Sequence, residues 1–458
     1  MRHDRGPAQP GQSDFSRGKM STLILNQAIP LALAQLVQIL YNIVDRVYLG
    51  HLPSADSMAL TGVGLTFPII TLVAAFTNLY GTGGAPLFAI ARGAKDEKRA
   101  SDLQGNVFTL LLGTSVVLMA CCYLLRRPVL YLFGASDASY VYADAYLKVY
   151  LLGTPFIMIS TGMNGFINAQ GFPRIGMLTT LLGAAINIVL DPLFIFVFDM
   201  GVTGAAVATV LSQGVSFLWV MRFITGKRVL FPLKRQALRL QGGLVKQILP
   251  LGFSGFVLQA TNCAVQVACS STLAAYGGDL YVGVMTVLNS VRDVFSLPIT
   301  GLSDGTQPVL GYNYGAKKNE RVRQGIRFMT VAGIVYSCVA WVAVLLFARS
   351  IIGIFTTDQA LLEAGPQALK LYFFGYFMMS FQYAGQSVFR SLGKAKSAIF
   401  FSVFRKLIIV VPLTLLLPGM GMGVNGVFIA EPISNAVGGA ACYITMWLTV
   451  YRRLKRES

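Results

Sequence analysis

The sequence predicts an all-α integral membrane protein with twelve transmembrane helices in two pseudo-symmetric six-helix bundles. Three observations carry that prediction: composition, the length of the apolar runs, and an internal repeat. Of 458 residues, 55% are apolar and 12% charged, with a mean hydropathy of +0.63. A soluble protein carries about a quarter charged residues, and a single soluble core stops growing at roughly 250–300 residues. Soluble globular, disordered and collagen-like chains are therefore excluded.

A helix crosses the bilayer with about 20 apolar residues. The apolar runs place spans at 22–49, 60–91, 102–124, 141–170, 174–198, 203–224, 247–275, 281–311, 326–348, 366–390, 397–417 and 424–450. Pro30, Pro68, Pro155, Pro192, Pro298 and Pro412 fall inside them, where proline kinks a helix and frees carbonyls. The polar, Gly- and Pro-rich residues 1–20 read as a disordered tail with no cleaved-signal pattern. Residues 223–246 read as a basic linker between an N-terminal lobe (21–222) and a C-terminal lobe (247–450), and 451–458 as a basic tail.

Of the 37 Lys and Arg, 28 fall in segments on the side of the termini and five at or beyond the opposite span ends. That bias puts both termini in the cytoplasm. The net charge of +18 is thereby explained as membrane topology, not as a nucleic-acid surface. Cys121, Cys122, Cys263, Cys269, Cys338 and Cys442 all lie in apolar runs without metal-ligand spacing and read as packing thiols.

The second half repeats the first. GGAPLFAIARGAK (83–95) returns as GTQPVLGYNYGAK (305–317), LKVYLLG (147–153) as LKLYFFG (369–375), and GVTG (201–204) as GVNG (423–426), all shifted by 222 residues. Upstream, IPLALAQLVQILYN (29–42) matches LPLGFSGFVLQATN (249–262) at a shift of 220. The copies are separated by an even number of spans, so they run parallel, an arrangement that in transporters puts substrate between the halves near mid-membrane.

Ionisable residues inside spans are costly and mark function by default. Gln35, Gln38, Asn42 and Asp45 draw a polar stripe along span 1, and Asn187 and Asp191 share a face of span 5. A buried carboxylate among amides can take a proton or, with further oxygens, a small cation. In the second half, span 7 offers Gln259, Asn262 and Gln266 without an acid, and Glu431 stands at the repeat position of Thr209. Asp293 follows Arg292 and can pair with it. Arg405 and Lys406, midway along span 11, can pair with Glu431 or Asp293. Asp304 lies in a Gly-rich stretch near a span end. Gln38, Asn42, Asn164, Gln259, Asn262, Gln386 and Glu431 are candidates for a substrate cavity. Phe156, Met158, Met163, Phe256, Phe374, Met378 and Met379 are candidates for its soft apolar wall.

NIVDRVYLG (42–50), NIVLD (187–191), GVTGAAVAT (201–209) and GTQPVLGYNYGAK (305–317), in this order on two six-helix halves, resemble the MATE (multidrug and toxic compound extrusion) family, and its bacterial MepA-like branch in particular. The resemblance covers residues of about 20–450. It implies a cation-coupled antiporter of the bacterial cytoplasmic membrane, working as a monomer without a cofactor. Such a protein exchanges H⁺ or Na⁺ for amphipathic, often cationic drugs or metabolites by alternating access between two lobes. It further implies a cation-coupling cluster of Asp45, Asn187, Asp191 and Thr209, in which Asp45, Asn187 and Asp191 would hold Na⁺. Family members with an acid in span 7 are matched here by amides, so a cation site there is not expected. The alternative is a lipid-linked precursor flippase of the same superfamily, for which Arg292, Arg405 and Lys406 would hold the pyrophosphate. No H-E-x-x-H or G-x-S-x-G pattern is present, and the two histidines are His3 and His51, so an enzyme is not expected.

Overall fold

The computed structural model describes residues 12–50, 62–133, 135–226, 229–356 and 358–456. Residues 42–50 have a helical backbone, but the side chains of Asn42, Asp45 and Arg46, like the tail 1–11 and His51, lie outside the described residues.

Backbone polar groups in a bilayer must be satisfied within the segment itself, which leaves helices as the solution for apolar runs of this length. The described α-helices are α1 (Met20–Gly50), α2 (Phe67–Gly93), α3 (Glu97–Leu132), α4 (Asp137–Leu152), α5 (Thr154–Ala169), α6 (Pro173–Pro192), α7 (Gly201–Ile224), α8 (Gly242–Gly315), α9 (Asn319–Phe355), α10 (Gln359–Tyr372), α11 (Met378–Ser391), α12 (Ala395–Val403), α13 (Val411–Leu417), α14 (Val424–Met446) and the short α15 (Arg452–Arg456). The 74-residue α8 is two spans, because Gly278 (φ 65°, ψ −168°) breaks it between the seventh and eighth predicted runs. Predicted spans 4 and 10 are each interrupted, at Gly153 between α4 and α5 and at 373–377 between α10 and α11. Both breaks fall on the repeated LKVYLLG/LKLYFFG motif. Counted this way, the described residues form the twelve spans the sequence predicts. Their apolar residues face outward as well as inward: Leu124, Leu132 and Ile354 are 79%, 81% and 79% exposed, as lipid-facing side chains must be.

The repeat extends to backbone conformation. Positive φ occurs at Lys95 (61°) and Lys317 (56°), Gly171 (93°) and Gly393 (71°), and Gly201 (53°) and Gly423 (52°), each pair 222 residues apart. Left-handed lysines are uncommon, and their recurrence ties the shared GAK end of the two motifs (93–95 and 315–317) to one turn geometry in both halves.

Proline acts differently from expectation at two sites. Pro68 and Pro155 occupy the first turns of α2 and α5, where the missing N–H costs nothing. Pro192 and Pro412 border π-helical turns, Leu193–Val197 and Phe404–Val410, consistent with a ladder interrupted for want of an N–H.

The chain divides into two compact units whose boundaries differ from the predicted lobes. One holds Leu33–Gly252 together with Asp14; the other holds Phe15–Ala32 and the chain from Phe253 onward. The start of span 1 thus packs in the second unit and the start of span 7 in the first. Small residues make both exchanges possible. A Cβ on Gly301 would lie 2.7 Å from Ala32 Cβ, and one on Gly305 would lie 2.5 Å from Ala28 N. In the first unit a Cβ on Gly252 would lie 1.6 Å from Leu79 O, and one on Gly83 would lie 2.4 Å from Ile248 O. By the repeat, Gly301–Ala32 corresponds to Leu79–Gly252, and Gly305–Ala28 to Gly83–Ile248. The exchange is one packing solution used twice.

Described parts of the segment expected as a disordered tail and of the linker are docked. In the tail, Ser13 N donates to Gly171 O at 2.8 Å, and Phe15 is fully buried in a core with Ile24, Val309 and Leu310. Arg321 holds the carbonyls of Phe15 and Gly18. In the linker, Asn106 takes the N–H of Gln241 at 2.7 Å and donates to Arg239 O at 3.2 Å, while Thr109 donates to Leu238 O. The cysteines are free; Cys269 and Cys442 are buried, whereas Cys121 and Cys263 are exposed.

Two polar cavities at equivalent positions

Each unit encloses a polar cavity. The first measures about 100 Å³, and α6 and α7 supply most of its wall. Two predicted substrate-cavity residues, Gln38 and Asn164, line it with Asn187 and Thr209. Asp191 is fully buried, and its Oδ1 accepts from Asn187 Nδ2 at 3.2 Å. The same Nδ2 points to Thr209 Oγ1 at 3.5 Å. Asn187, Asp191 and Thr209 are therefore one cluster, assembled because spacings of four residues put Asn187 and Asp191 on one face of α6. Asn187 Oδ1 is buried and has no partner among the described residues. An open amide oxygen, a carboxylate and a hydroxyl are the donor types a hard cation takes, and the carboxylate alone suffices for a proton.

Sequence reading missed Tyr41, Thr179, Ser212, Gln213 and Ser216, which also line this cavity. Ser212, Gln213 and Ser216 lie one or two turns beyond Thr209 on the same helix, so helical spacing from Thr209 was the available signal. Ser216 Oγ donates to Thr179 O at 3.0 Å, joining α7 to α6.

The second cavity measures about 240 Å³ and is lined by Gln259, Asn262, Gln266, Asn289, Arg292, Asp293, Tyr372, Lys406 and Glu431, among others. Three predicted substrate-cavity residues are thus on its wall: Gln259, Asn262 and Glu431. The partner choice left open by sequence is resolved. Arg405 Nη1 donates to Glu431 Oε1 at 3.1 Å, and Lys406 Nζ donates to its two oxygens at 3.2 and 3.4 Å. Arg405 also bonds Asn435 Oδ1, a residue one turn beyond Glu431. Arg405 and Lys406 are consecutive, and the π-helical turn carrying them has more residues per turn than an α-helix, which brings neighbouring side chains closer around the axis. Asp293, in contrast, forms no ion pair with Arg292. The Arg292 guanidinium donates to Tyr372 Oη instead, and Tyr372 donates in turn to Asn289 Oδ1 at 3.4 Å. Asp304 accepts from Gln307 at 3.1 Å.

Gln386 is a correction. It lines neither cavity; buried at 6% exposure, it donates at 3.1 Å to Ala398 O and Ser402 Oγ. Its repeat counterpart Asn164 makes the same bond, to Gly176 O at 3.1 Å. Ala398 and Gly176 are themselves 222 apart, so this amide clasps two spans in each unit.

Comparison with known proteins agrees with this architecture. The chain is similar to the multidrug export protein MepA of Staphylococcus saprophyticus, 24% identical over 436 residues and 95% of each chain. It is similar to MepA of Staphylococcus aureus strain MRSA252 at 22% identity with the same coverage. Among solved structures, a MATE in the bent conformation matches with a TM-score of 0.90 at 24% identity, over 97% of this chain and 98% of that one. A MOP-superfamily transporter from Pyrococcus furiosus, described as having a binding pocket of reverse polarity, matches at 0.88 and 24%, again over 97% and 98%. The MatE family matches residues 30–193 and 254–416, once in each half of the repeat. On that double match, in a twelve-span helical fold, the chain belongs to the MatE family of membrane transporters.

Proposed function

We propose that this protein is a cation-coupled antiporter that exports amphipathic, cationic drugs or metabolites by alternating access, as a monomer in the bacterial cytoplasmic membrane with both termini inside. The observation that carries this reading is the fully buried Asp191 in contact with Asn187, which with Thr209 lines a neutral polar cavity. A carboxylate there is costly unless neutralised. A proton on Asp191, or Na⁺ held by the Asp191, Asn187 and Thr209 oxygens with Asp45, supplies the missing charge. Neutralisation weakens the carboxylate's hold on Asn187, whose same amide reaches Thr209, and so changes the contact between α6 and α7. Substrate and cation affinities are then linked, and by reciprocity each weakens the other by the same factor. The names of the MepA relatives support multidrug export as the direction and cargo class.

The flippase alternative needs cations free to hold a pyrophosphate. Glu431 and Asp293 leave the cluster of Arg292, Arg405 and Lys406 one net positive charge, too little for a pyrophosphate, which weighs against it.

The test is reconstitution of the full chain in liposomes with ethidium, under an imposed pH gradient or sodium gradient. Dye movement driven by one gradient, and lost in Asp45→Asn, is expected. Movement that is the same in Asp45→Asn as in the wild type, or absent under both gradients, contradicts the proposal.

A further inference from the structure

The cavity of the second unit has a charge balance the coupling mechanism does not use. Glu431 is shared by two buried cations, Arg405 and Lys406, whose side chains are 10% and 4% exposed. One carboxylate cannot neutralise both, and a surplus charge in a low-dielectric site calls for a further anion. Arg292 shares the cavity wall with Lys406 and Glu431, whereas Arg405 reaches it only through Glu431. Arg292 spends one nitrogen on Tyr372, and its Nε and Nη2 have no protein partner among the described residues. Asp293, the other acid on the wall, is exposed and holds none of the three. The two cations and two acids on the wall cancel, and Arg405, bonded to Glu431 but not itself on the wall, leaves the cluster with one net positive charge, with guanidinium donors open to about 240 Å³ of space and neutral amides at Gln259, Asn262 and Asn289.

We infer that the second unit's cavity is a recognition site for the single anionic group, a carboxylate, of a zwitterionic amphiphile, with Arg292 and Lys406 as its ligands. One net charge suits a monoanion and not a pyrophosphate. Arg292 provides the planar donor fork that matches a carboxylate. Lys406 lines the cavity while bonded to both Glu431 oxygens, and its ammonium has three donors, so a second carboxylate can share them. The amides bind the uncharged body of the molecule. As a statement about exported substrates this rests on the proposed transport function; as a statement about binding it does not, and it is tested without a gradient.

The experiment measures equilibrium binding of a carboxylate-bearing rhodamine and of its methyl ester to the full chain in phosphatidylcholine nanodiscs, by fluorescence polarisation. The two dyes differ only in the anionic group. Arg292→Gln is expected to weaken the carboxylate dye about tenfold, the worth of a charge-assisted hydrogen bond, and the ester less than twofold. Arg292→Lys should recover part of the loss. Asp293→Asn, which removes a negative charge from the wall, should tighten the carboxylate dye alone, an effect that misfolding cannot imitate. Equal weakening of both dyes in Arg292→Gln, no tightening in Asp293→Asn, or failure of the wild type to bind the carboxylate dye overturns the inference. Repeating the wild-type titration with phosphatidylglycerol in the nanodisc separates the source of the anion. Unchanged affinity supports a solute ligand, and competition by the lipid assigns the site to a headgroup phosphate and overturns it.

Discussion

The two cavities sit at equivalent places in the repeat and differ in almost every charged position. Gly183, Ala184 and Thr209 of the first half stand where Arg405, Lys406 and Glu431 stand in the second; Asn187 and Asp191 stand where Ile409 and Leu413 stand. The exchange extends to the space around them. In the first unit the small Gly183 faces Ser216, and a Cβ on it would lie 2.7 Å from Ser216 Oγ. In the second the order is reversed: Arg405 is large, and Gly438, the counterpart of Ser216, has made room for it, with a Cβ there only 2.8 Å from Arg405 Cγ. A duplicated scaffold keeps its clasps, breaks and left-handed turns. Its chemistry is set by the few side chains that point inward, and each large one needs a small one opposite.

This comparison can be broken at several points. The largest structural effect should come from Glu431→Gln, which leaves Arg405 and Lys406 side by side without their carboxylate. Breaking such a buried pair costs about 3–5 kcal/mol, visible as a large drop in apparent melting temperature in detergent. Glu431→Gln with Lys406→Met should recover much of that drop, because one surplus cation leaves with the acid. Next comes Gly438→Ser, which installs the first-half residue against Arg405 and should cost about 1–3 kcal/mol by overpacking. Equal stability to the wild type would show that Arg405 has another resting place. The smallest effect should be shared. Asn164→Ala and Gln386→Ala each remove one clasp and should destabilise by about 1–2 kcal/mol, yet only Asn164→Ala, on a cavity wall, should alter ethidium export. Loss of export in both would place Gln386 in a transport path that its burial argues against.

The sequence shows the scaffold more clearly than it shows the partners. The apolar runs announced the twelve spans and the break of α8 near 278, and the repeat register the equivalence of Thr209 with Glu431; the interruptions of spans 4 and 10 were not foreseen, although both fall on a repeated motif. The sequence also carried the Asn187–Asp191 face, since four-residue spacing is local geometry. Features decided by tertiary contact were not visible. The partner of Arg405 and Lys406 depends on which neighbouring helix reaches the π-helical turn. Gln386 looked like a cavity amide because hydropathy cannot tell a polar group facing a cavity from one bonded to a neighbouring carbonyl. The exchange of the first turns of spans 1 and 7 depends on Ala32 meeting Gly301 and Gly252 meeting Leu79, contacts between residues more than 170 positions apart in the chain. The docking of Phe15 was hidden because a tail rich in Gly and Pro has the composition of disorder.

The central claim is that coupling resides in the first half's carboxylates and not in the charged cluster of the second. It is tested most directly by measuring gradient-driven ethidium movement in liposomes for Asp191→Asn and for Glu431→Gln/Lys406→Met, side by side with the wild type. The account predicts that Asp191→Asn binds dye but no longer moves it under either gradient, while the double variant still responds to the same gradient as the wild type. Gradient-driven movement preserved in Asp191→Asn and lost in the double variant would contradict it.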